Sequence, residues 1–183
     1  GACKDTAALV ANVTGKLLAE EKEGVEFANV DVKGMQGIPS IKTATDGSYV
    51  FSSIPMPVHG GDQHVSIKAL RDDNPMNGVS TLDLVLIQKH IMGTESLKSP
   101  YKMIAADVDN NNDITAIDLL ELRKLILGIY DKLPSNTSWK FIPKSYTFSD
   151  ASNPWQYPTE DVLTDMTEKM VRDFVGVKIG DVN

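Results

Sequence analysis

One stretch of the chain decides how its centre folds: Asp107-Val108-Asp109-Asn110-Asn111-Asn112-Asp113-Ile114-Thr115-Ala116-Ile117-Asp118. Counted from Asp107, oxygen-bearing side chains stand at positions one, three, five, nine and twelve, and position seven offers a backbone carbonyl. A calcium ion takes roughly six to eight oxygen ligands in a loop with this alternation. The stretch therefore predicts a calcium loop that opens a helix. Its expected ligands are Asp107, Asp109, Asn111, Asp113, Thr115 and Asp118.

A simpler interpretation of the same stretch is a helix cap. Thr115 and Asp118 are spaced as a capping box, in which side chains bond the free N–H groups at a helix start. A cap uses only two of these residues, whereas five ligand-type side chains stand at the calcium spacing, so we favour calcium. Asn112, at position six, is expected to supply the left-handed backbone that glycine usually provides there.

The loop has a less complete copy 35 residues upstream. Asp72, Asn74, Ser80 and Asp83 align with Asp107, Asp109, Thr115 and Asp118, and a periodic apolar run follows each loop up to Gly93 or Gly128. Met76 stands at position five, and its thioether is a poor ligand for a hard cation. This copy is expected to bind calcium more weakly, or to be retained only for packing. Its candidate ligands are Asp72, Asn74, Gly78, Ser80 and Asp83.

The duplicated unit resembles the type I dockerin repeat over about residues 72–130. The resemblance is carried by 106–109, 118–120 and 125–128. It implies calcium-dependent folding of two antiparallel helices and, in some relatives, docking to a cohesin domain. The pairs 81–82 and 116–117 stand where cohesin-binding members often carry recognition residues, and they depart from the family pattern.

The N-terminal region, from about residue 7 to 70, consists of short alternating segments separated by turn residues. This pattern predicts antiparallel strands, including 25–27, 30–32 and 49–51. The segments 13–16, 25–32 and 45–55 resemble the carboxypeptidase regulatory-like domains of surface proteins. That resemblance implies an immunoglobulin-like β-sandwich that serves as a spacer or adhesive module and has no active site.

The C-terminal residues 132–183 contain further strand patterns, the last of them at 173–182. We expect this tail to return to the sandwich or to form a small sheet against the helices. The predicted fold class is therefore mixed and mainly β. The predicted domains are a β-sandwich at 1–70, a double calcium loop-helix module at 71–131, and a strand-rich segment at 132–183 that packs on both.

Composition excludes several classes of function. The 183 residues carry a net charge of -7, which disfavours binding to nucleic-acid phosphates, and no apolar run reaches the roughly 18 residues of a membrane span. His59, His64 and His90 lack the context of a catalytic or zinc site, so we expect no enzyme. Cys3, the one cysteine, excludes an internal disulfide. It is expected to be a free thiol, a lipidation site or half of an interchain disulfide.

These features predict a secreted, cell-surface protein that binds calcium, with two ions per chain. The favoured function is that of a structural subunit of a surface fibre or filament, which associates with itself or with another surface protein. One alternative is a dockerin-type anchor for a cohesin-like partner. Another is a carbohydrate-binding adhesin that uses Trp139 or Trp155. Asn12 and Asn136 begin glycosylation acceptor patterns.

Overall fold

The computed structural model describes residues 9–57 and 64–183, so Cys3 and His59 lie outside the described residues. The described chain forms nine strands and three helices. The strands are β1 (Val10–Ala19), β2 (Asn29–Lys33), β3 (Ile41–Lys42), β4 (Ser48–Pro55), β5 (Ser66–Leu70), β6 (Trp139–Pro143), β7 (Asp161–Val162), β8 (Lys169–Val171) and β9 (Phe174–Lys178). The helices are α1 (Thr81–Ile91), α2 (Pro100–Ala106) and α3 (Ala116–Ile126).

The first sheet joins the two ends of the chain, with strand order β4-β1-β9-β6. β1 is antiparallel to β4 and parallel to β9, and β9 is antiparallel to β6. The short strand β8 also pairs with β1, in parallel and upstream of β9. The C-terminal strands therefore complete a sheet that begins with N-terminal residues.

The second sheet has strand order β3-β2-β5-β7 and is antiparallel throughout. Its inward residues share an apolar core with the first sheet, and the alternation of buried and exposed residues along β1 reflects the period of two expected of a strand with one buried face. Residues of this first core include Val13, Leu17, Val30, Tyr49, Phe51, Ile67, Phe141 and Phe174.

A second core lies on the opposite side of β6 and β9. Phe141 and Phe174 point into the first core, whereas Ile142 and Val177, on the other face of the same strands, belong to the second. The helices contribute buried side chains that include Ile87, Ile104, Leu122 and Leu125. One end of the first sheet is thus covered on both faces and fixes the loop-helix units to the rest of the molecule.

The expected fold class is confirmed, since the described chain is mixed and mainly β. The predicted strand at 25–27 is wrong, because this segment is a turn in which Phe27 has a φ of 57°. Helix α2 was not predicted. The sequence does carry a signal for its start, because Ser99 caps the helix and Pro100 occupies its first turn. None of the helices in the described ranges has the length and hydropathy needed to cross a bilayer.

Candidate metal centre

The second loop begins where α2 ends and leads directly into α3. Thr115 is the N-cap of α3, and it forms a capping box with Asp118. Asn110 and Asn112 adopt left-handed backbone, with φ of 62° and 66°. Asparagine tolerates this conformation better than most residues. The expected left-handed position six is therefore present, and a second tight turn precedes it.

Three carboxylates meet inside this loop. One oxygen from each of Asp107, Asp109 and Asp118 lies within 4.8 Å of the others, and within residues 9–57 and 64–183 this is the only such group of three metal-ligating side chains. Asp118 is fully buried and Asp107 is 5% exposed. Carboxylates so close together and out of water repel one another unless a cation is shared between them.

Backbone N–H groups hold two of these carboxylates in place. Asp107 accepts from Asn111 N at 2.9 Å and from Asn112 N at 3.0 Å. Asp118 Oδ1 accepts from Val108 N at 2.7 Å and from Asp109 N at 3.1 Å, and its Oδ2 accepts from Thr115 N at 2.8 Å. The donors are neutral, so they orient the carboxylates without supplying positive charge.

The electrostatics of the cluster favour the binding of a cation. Burial raises the pKa of Asp107 to about 6, and the neighbouring carboxylates add to this rise against the lowering effect of its backbone hydrogen bonds. Burial likewise raises the pKa of Asp118. Oδ1 of Asp109 is buried without any hydrogen-bond partner. An all-oxygen donor set with an unpaired buried oxygen fits calcium, which would bring these three carboxylates together as ligands.

The other predicted ligands of the second loop lie at its rim. Asn111 Oδ1 accepts from Asp113 N at 2.9 Å, and its Nδ2 donates to Asp109 Oδ2 at 3.0 Å. Asp113 Oδ1 accepts from Ile114 N at 2.8 Å. Thr115 Oγ1 accepts from Ile117 N at 3.2 Å. The loop therefore brings Asp107, Asp109 and Asp118 together. The side chains of Asn111, Asp113 and Thr115 instead make local hydrogen bonds.

The first loop has a different arrangement. Left-handed backbone occurs at Asn74 and Gly78, which are positions three and seven, and not at positions four and six. Asp72 Oδ1 accepts from Ser138 N at 2.9 Å, whereas Asp83 Oδ1 accepts from Val182 N at 2.8 Å. The structure thus bonds the first and last predicted ligands to different parts of the chain. Ser80 is the N-cap of α1, where it forms a capping box with Asp83.

Two residues that support the loops were missed by sequence reasoning. Asn136 Nδ2 donates to the carbonyl oxygen of Asp107 at 3.0 Å, and Ser138 Oγ donates to the carbonyl oxygen of Asp73 at 2.8 Å. The sequence offered only a glycosylation pattern at this place, 136–138. The amide nitrogen that a glycan would modify is the atom bonded to Asp107.

The comparison with protein families agrees with this geometry. Residues 72–127 match the family model of the dockerin type I domain. The match covers under a third of the 183-residue chain, and it contains both loop-helix units and α2. Searches of curated proteins and of solved structures gave no significant match. The dockerin prediction is confirmed for this segment, called here the dockerin-type region.

Dockerin domains bind calcium and are typically found outside the cell or at its surface. The calcium prediction and the extracellular location are therefore supported at the level of the dockerin-type region. The resemblance of the N-terminal residues to carboxypeptidase regulatory-like domains stays a prediction, as does the division at residues 70 and 131.

Proposed function

We propose that the chain is an extracellular assembly protein whose dockerin-type region docks a cohesin-like partner in the presence of calcium. One observation carries this proposal beyond the family match. The two helices and their C-cap residues expose apolar side chains at equivalent positions, 35 residues apart, and to nearly equal extents. The pairs are Leu82 and Ile117 (52% and 54% exposed), Val85 and Leu120 (48% and 48%), and Met92 and Leu127 (65% and 67%).

These exposed residues, called here the apolar rows, lie opposite the buried faces of α1 and α3. Ile87 and Leu122, in the same helices, are fully buried in the second core. A core-facing helix normally exposes polar residues on its outer face. Duplicated exposure of large apolar side chains is typical of a surface that is covered by a partner.

Calcium can act on this surface through the first turns of the helices. Ile117 is adjacent to Asp118, which is the third residue of α3 and also a member of the carboxylate cluster. Leu82 is placed in the same way beside Asp83 in α1. An ion bound at each loop would therefore further restrain the start of the corresponding apolar row.

The two-sheet part of the chain is proposed to be an immunoglobulin-like spacer without catalytic activity. Its role would be to hold the dockerin-type region away from the remainder of an assembly. This proposal is supported by the shared sheet, in which β6 and β9 pack on the first core with one face and on the helices with the other.

The fibre hypothesis gains less support from the fold. One route to a fibre is the addition of a terminal strand to the sheet of a neighbouring molecule, which requires an unpaired edge. β1 lies between β4 and β9, and β9 lies between β1 and β6. Both strands are therefore already paired on each side, so self-association through donation of β1 or β9 would require the sheet to open.

The glycan-binding alternative also loses support at one of its two tryptophans. Trp139 is 9% exposed and stacks on Phe141 inside the first core. Trp155 remains partly exposed and lines an open cleft of about 450 Å³ together with His90 and Asp113.

The docking proposal is tested by biolayer interferometry of the full chain against a panel of purified cohesin domains. We expect binding in calcium, loss of binding in chelator, and loss of binding in the double variant Leu82→Asp with Ile117→Asp. Val50→Asp is the matched control, because Val50 is 56% exposed but lies on β4. Failure of every cohesin to bind in calcium, or an equal loss with Val50→Asp, would contradict the proposal.

A further inference from the structure

The last residues of the chain contact the first loop-helix unit in a pattern already present in the second. Asp83 Oδ1 accepts from Val182 N at 2.8 Å and from Asn183 N at 3.2 Å. In the second unit, Asp118 Oδ1 accepts from Val108 N at 2.7 Å and from Asp109 N at 3.1 Å. Asp83 and Asp118 are equivalent aspartates, at position twelve of their loops. Residues 182 and 183 therefore stand to the first unit as 108 and 109 stand to the second.

The side chains follow the same correspondence. The segment 181–183 reads Asp-Val-Asn, and the opening of the second loop, 107–109, reads Asp-Val-Asp. Val182 and Val108 are 5% and 1% exposed and belong to the same second core. The preceding residue, Gly180, donates its N–H to the carbonyl oxygen of Ala105 at 2.8 Å, which fixes the segment beside the second loop.

The first loop's own opening is held elsewhere. Asp72 accepts hydrogen bonds from the backbone N and from the hydroxyl of Ser138, at 2.9 and 3.4 Å. The Ser138 hydroxyl also donates to the carbonyl oxygen of Asp73 at 2.8 Å. Residues 72 and 73 are thus fastened to the residue that precedes β6. No bond of this set joins Asp72 to Asp83.

Gly78 makes room for the side-chain carboxylate of Asp181. A Cβ at this position would overlap Oδ2 of Asp181, and its φ of +78° is a conformation that side chains disfavour. The carboxylate of Asp181 therefore closes directly onto the backbone of the first loop, at the position that was expected to offer a carbonyl ligand.

Lys178 holds the two segments together without pairing with the carboxylates. It is 6% exposed, and its Nζ donates to the carbonyl oxygens of Pro75 at 2.6 Å and of Ile179 at 3.1 Å. Across the described parts of the chain, the ion pairs within 4.0 Å include none between Lys178 and Asp83 or Asp181. Lys178 therefore does not neutralise either carboxylate by a direct ion pair.

We infer that the first calcium position of the dockerin-type region is composite: Asp181 and Asn183 take the places that the sequence assigns to Asp72 and Asn74, and Asp83 closes the site. Calcium is the ion that this family binds, and the donors are again oxygens. Two carboxylates and one amide replace the three carboxylates of the second site, and an ammonium group lies nearby. The composite site therefore binds calcium more weakly. The inference concerns calcium alone and does not depend on docking.

Isothermal titration of the full chain with calcium tests the inference. We expect two ions for the unsubstituted protein, the second of them bound more weakly. Asp181→Ala should lose the weaker ion, while the matched variant Asp72→Ala should keep both. Asp181→Asn preserves the shape of the side chain, and it should weaken the second ion at least about tenfold if loss of one carboxylate ligand is the cause. Far-ultraviolet circular dichroism of each variant shows whether it is folded.

Three results would overturn the inference. They are a single ion bound by the unsubstituted chain, loss of the weaker ion in Asp72→Ala with its retention in Asp181→Ala, and equal affinity of the folded Asp181→Asn variant. Cohesin binding is measured separately, so a chain that binds two ions but no cohesin would contradict only the docking proposal.

Discussion

At the scale of single residues, Asp118 connects the loop to the helix. It is fully buried and accepts hydrogen bonds from the backbone N–H groups of Val108, Asp109 and Thr115. Asp118→Ala would leave these donors without their partner, and each unsatisfied buried group costs about 1–3 kcal/mol. We expect the free energy of unfolding in chelator to fall by at least about 2 kcal/mol, as measured by urea denaturation.

The control for this prediction is Asp113→Ala. Asp113 is exposed, and its carboxylate accepts a hydrogen bond from the backbone N of the next residue, Ile114. Exposed substitutions usually change stability by less than about 0.5 kcal/mol. Equal losses of unfolding free energy in the two variants would show that the buried hydrogen bonds of Asp118 add no stability.

The raised pKa of Asp107 predicts that its contribution to stability falls as the pH rises, which is the reverse of the usual effect of an aspartate. Its pKa in the folded, metal-free chain is about 6 against an ordinary 3.8, so the folded state holds the proton more tightly than the unfolded state does. Asp107 therefore stabilises the metal-free chain increasingly as the pH falls from about 7 toward 4. This contribution disappears as the pH rises through 6. Calcium needs the ionised carboxylate, so in saturating calcium the same residue favours the higher pH.

The measurement is urea unfolding at pH 5 and pH 7.5, with and without calcium, for the unsubstituted chain and for Asp107→Asn. Comparing the two proteins removes the contribution of other titrating groups, such as Asp46, whose hydrogen bonds to Ser48 lower its pKa. At pH 7.5, we expect Asp107→Asn to have a higher free energy of unfolding than the unsubstituted chain without calcium, and a lower one with calcium. A difference that does not vary with pH would refute the assigned role of Asp107.

At the scale of elements, the connection between β8 and β9 depends on Gly15 in β1. β1 pairs with β8 through residues 12–14 and with β9 through 17–19. Between them, a Cβ at Gly15 would overlap the carbonyl oxygen of Arg172, which also accepts the Tyr49 hydroxyl. Gly15→Ala should therefore lower the free energy of unfolding by at least about 2 kcal/mol.

Urea denaturation also checks this prediction, with Lys16→Ala as the control. The Lys16 side chain is 53% exposed and its ion pair with Asp46 lies at the surface, so its loss should change stability by less than about 0.5 kcal/mol. A stable Gly15→Ala variant would show that the two C-terminal strands can shift along β1.

The features that could be predicted from the sequence are those that depend on residues close together in the chain. The starts of α1 and α3 depend on caps and spacings within a few residues, so Ser80, Thr115 and both helices were predictable. The three clustered carboxylates of the second loop all lie within 107–118, so they were predictable as well. Alternation at 49–51 likewise predicted a strand, and these residues lie within β4.

The remaining features depend on residues far apart in the chain. The bond from Ser138 to Asp72 spans 66 positions, and that from Val182 to Asp83 spans 99. Spacing within one loop carries no information about such partners. Asp72 therefore appeared equivalent to Asp107, although β6 and the C-terminal segment place the two aspartates in different surroundings.

At the scale of the whole molecule, the dockerin-type region and the two sheets share one structural element. Ile142, Val177 and Ile179 belong to the second core together with Leu122 and Leu125 of α3. The same two strands, β6 and β9, supply Phe141 and Phe174 to the first core. Loss of order around the calcium loops should therefore reach the sheets through β6 and β9, and the chain should unfold as one cooperative unit.

The two tryptophans make this cooperativity measurable, because Trp139 belongs to the first core and Trp155 packs against the second. Trp155→Phe leaves Trp139 as the sole tryptophan reporter, and Trp139→Phe leaves Trp155. Calcium binds the folded chain preferentially, so its removal should lower the melting temperature. We expect each variant to show one transition, with similar decreases on chelation. If chelation shifted the transition reported by Trp155 but not the one reported by Trp139, the helices and the sheets would unfold independently despite sharing β6 and β9.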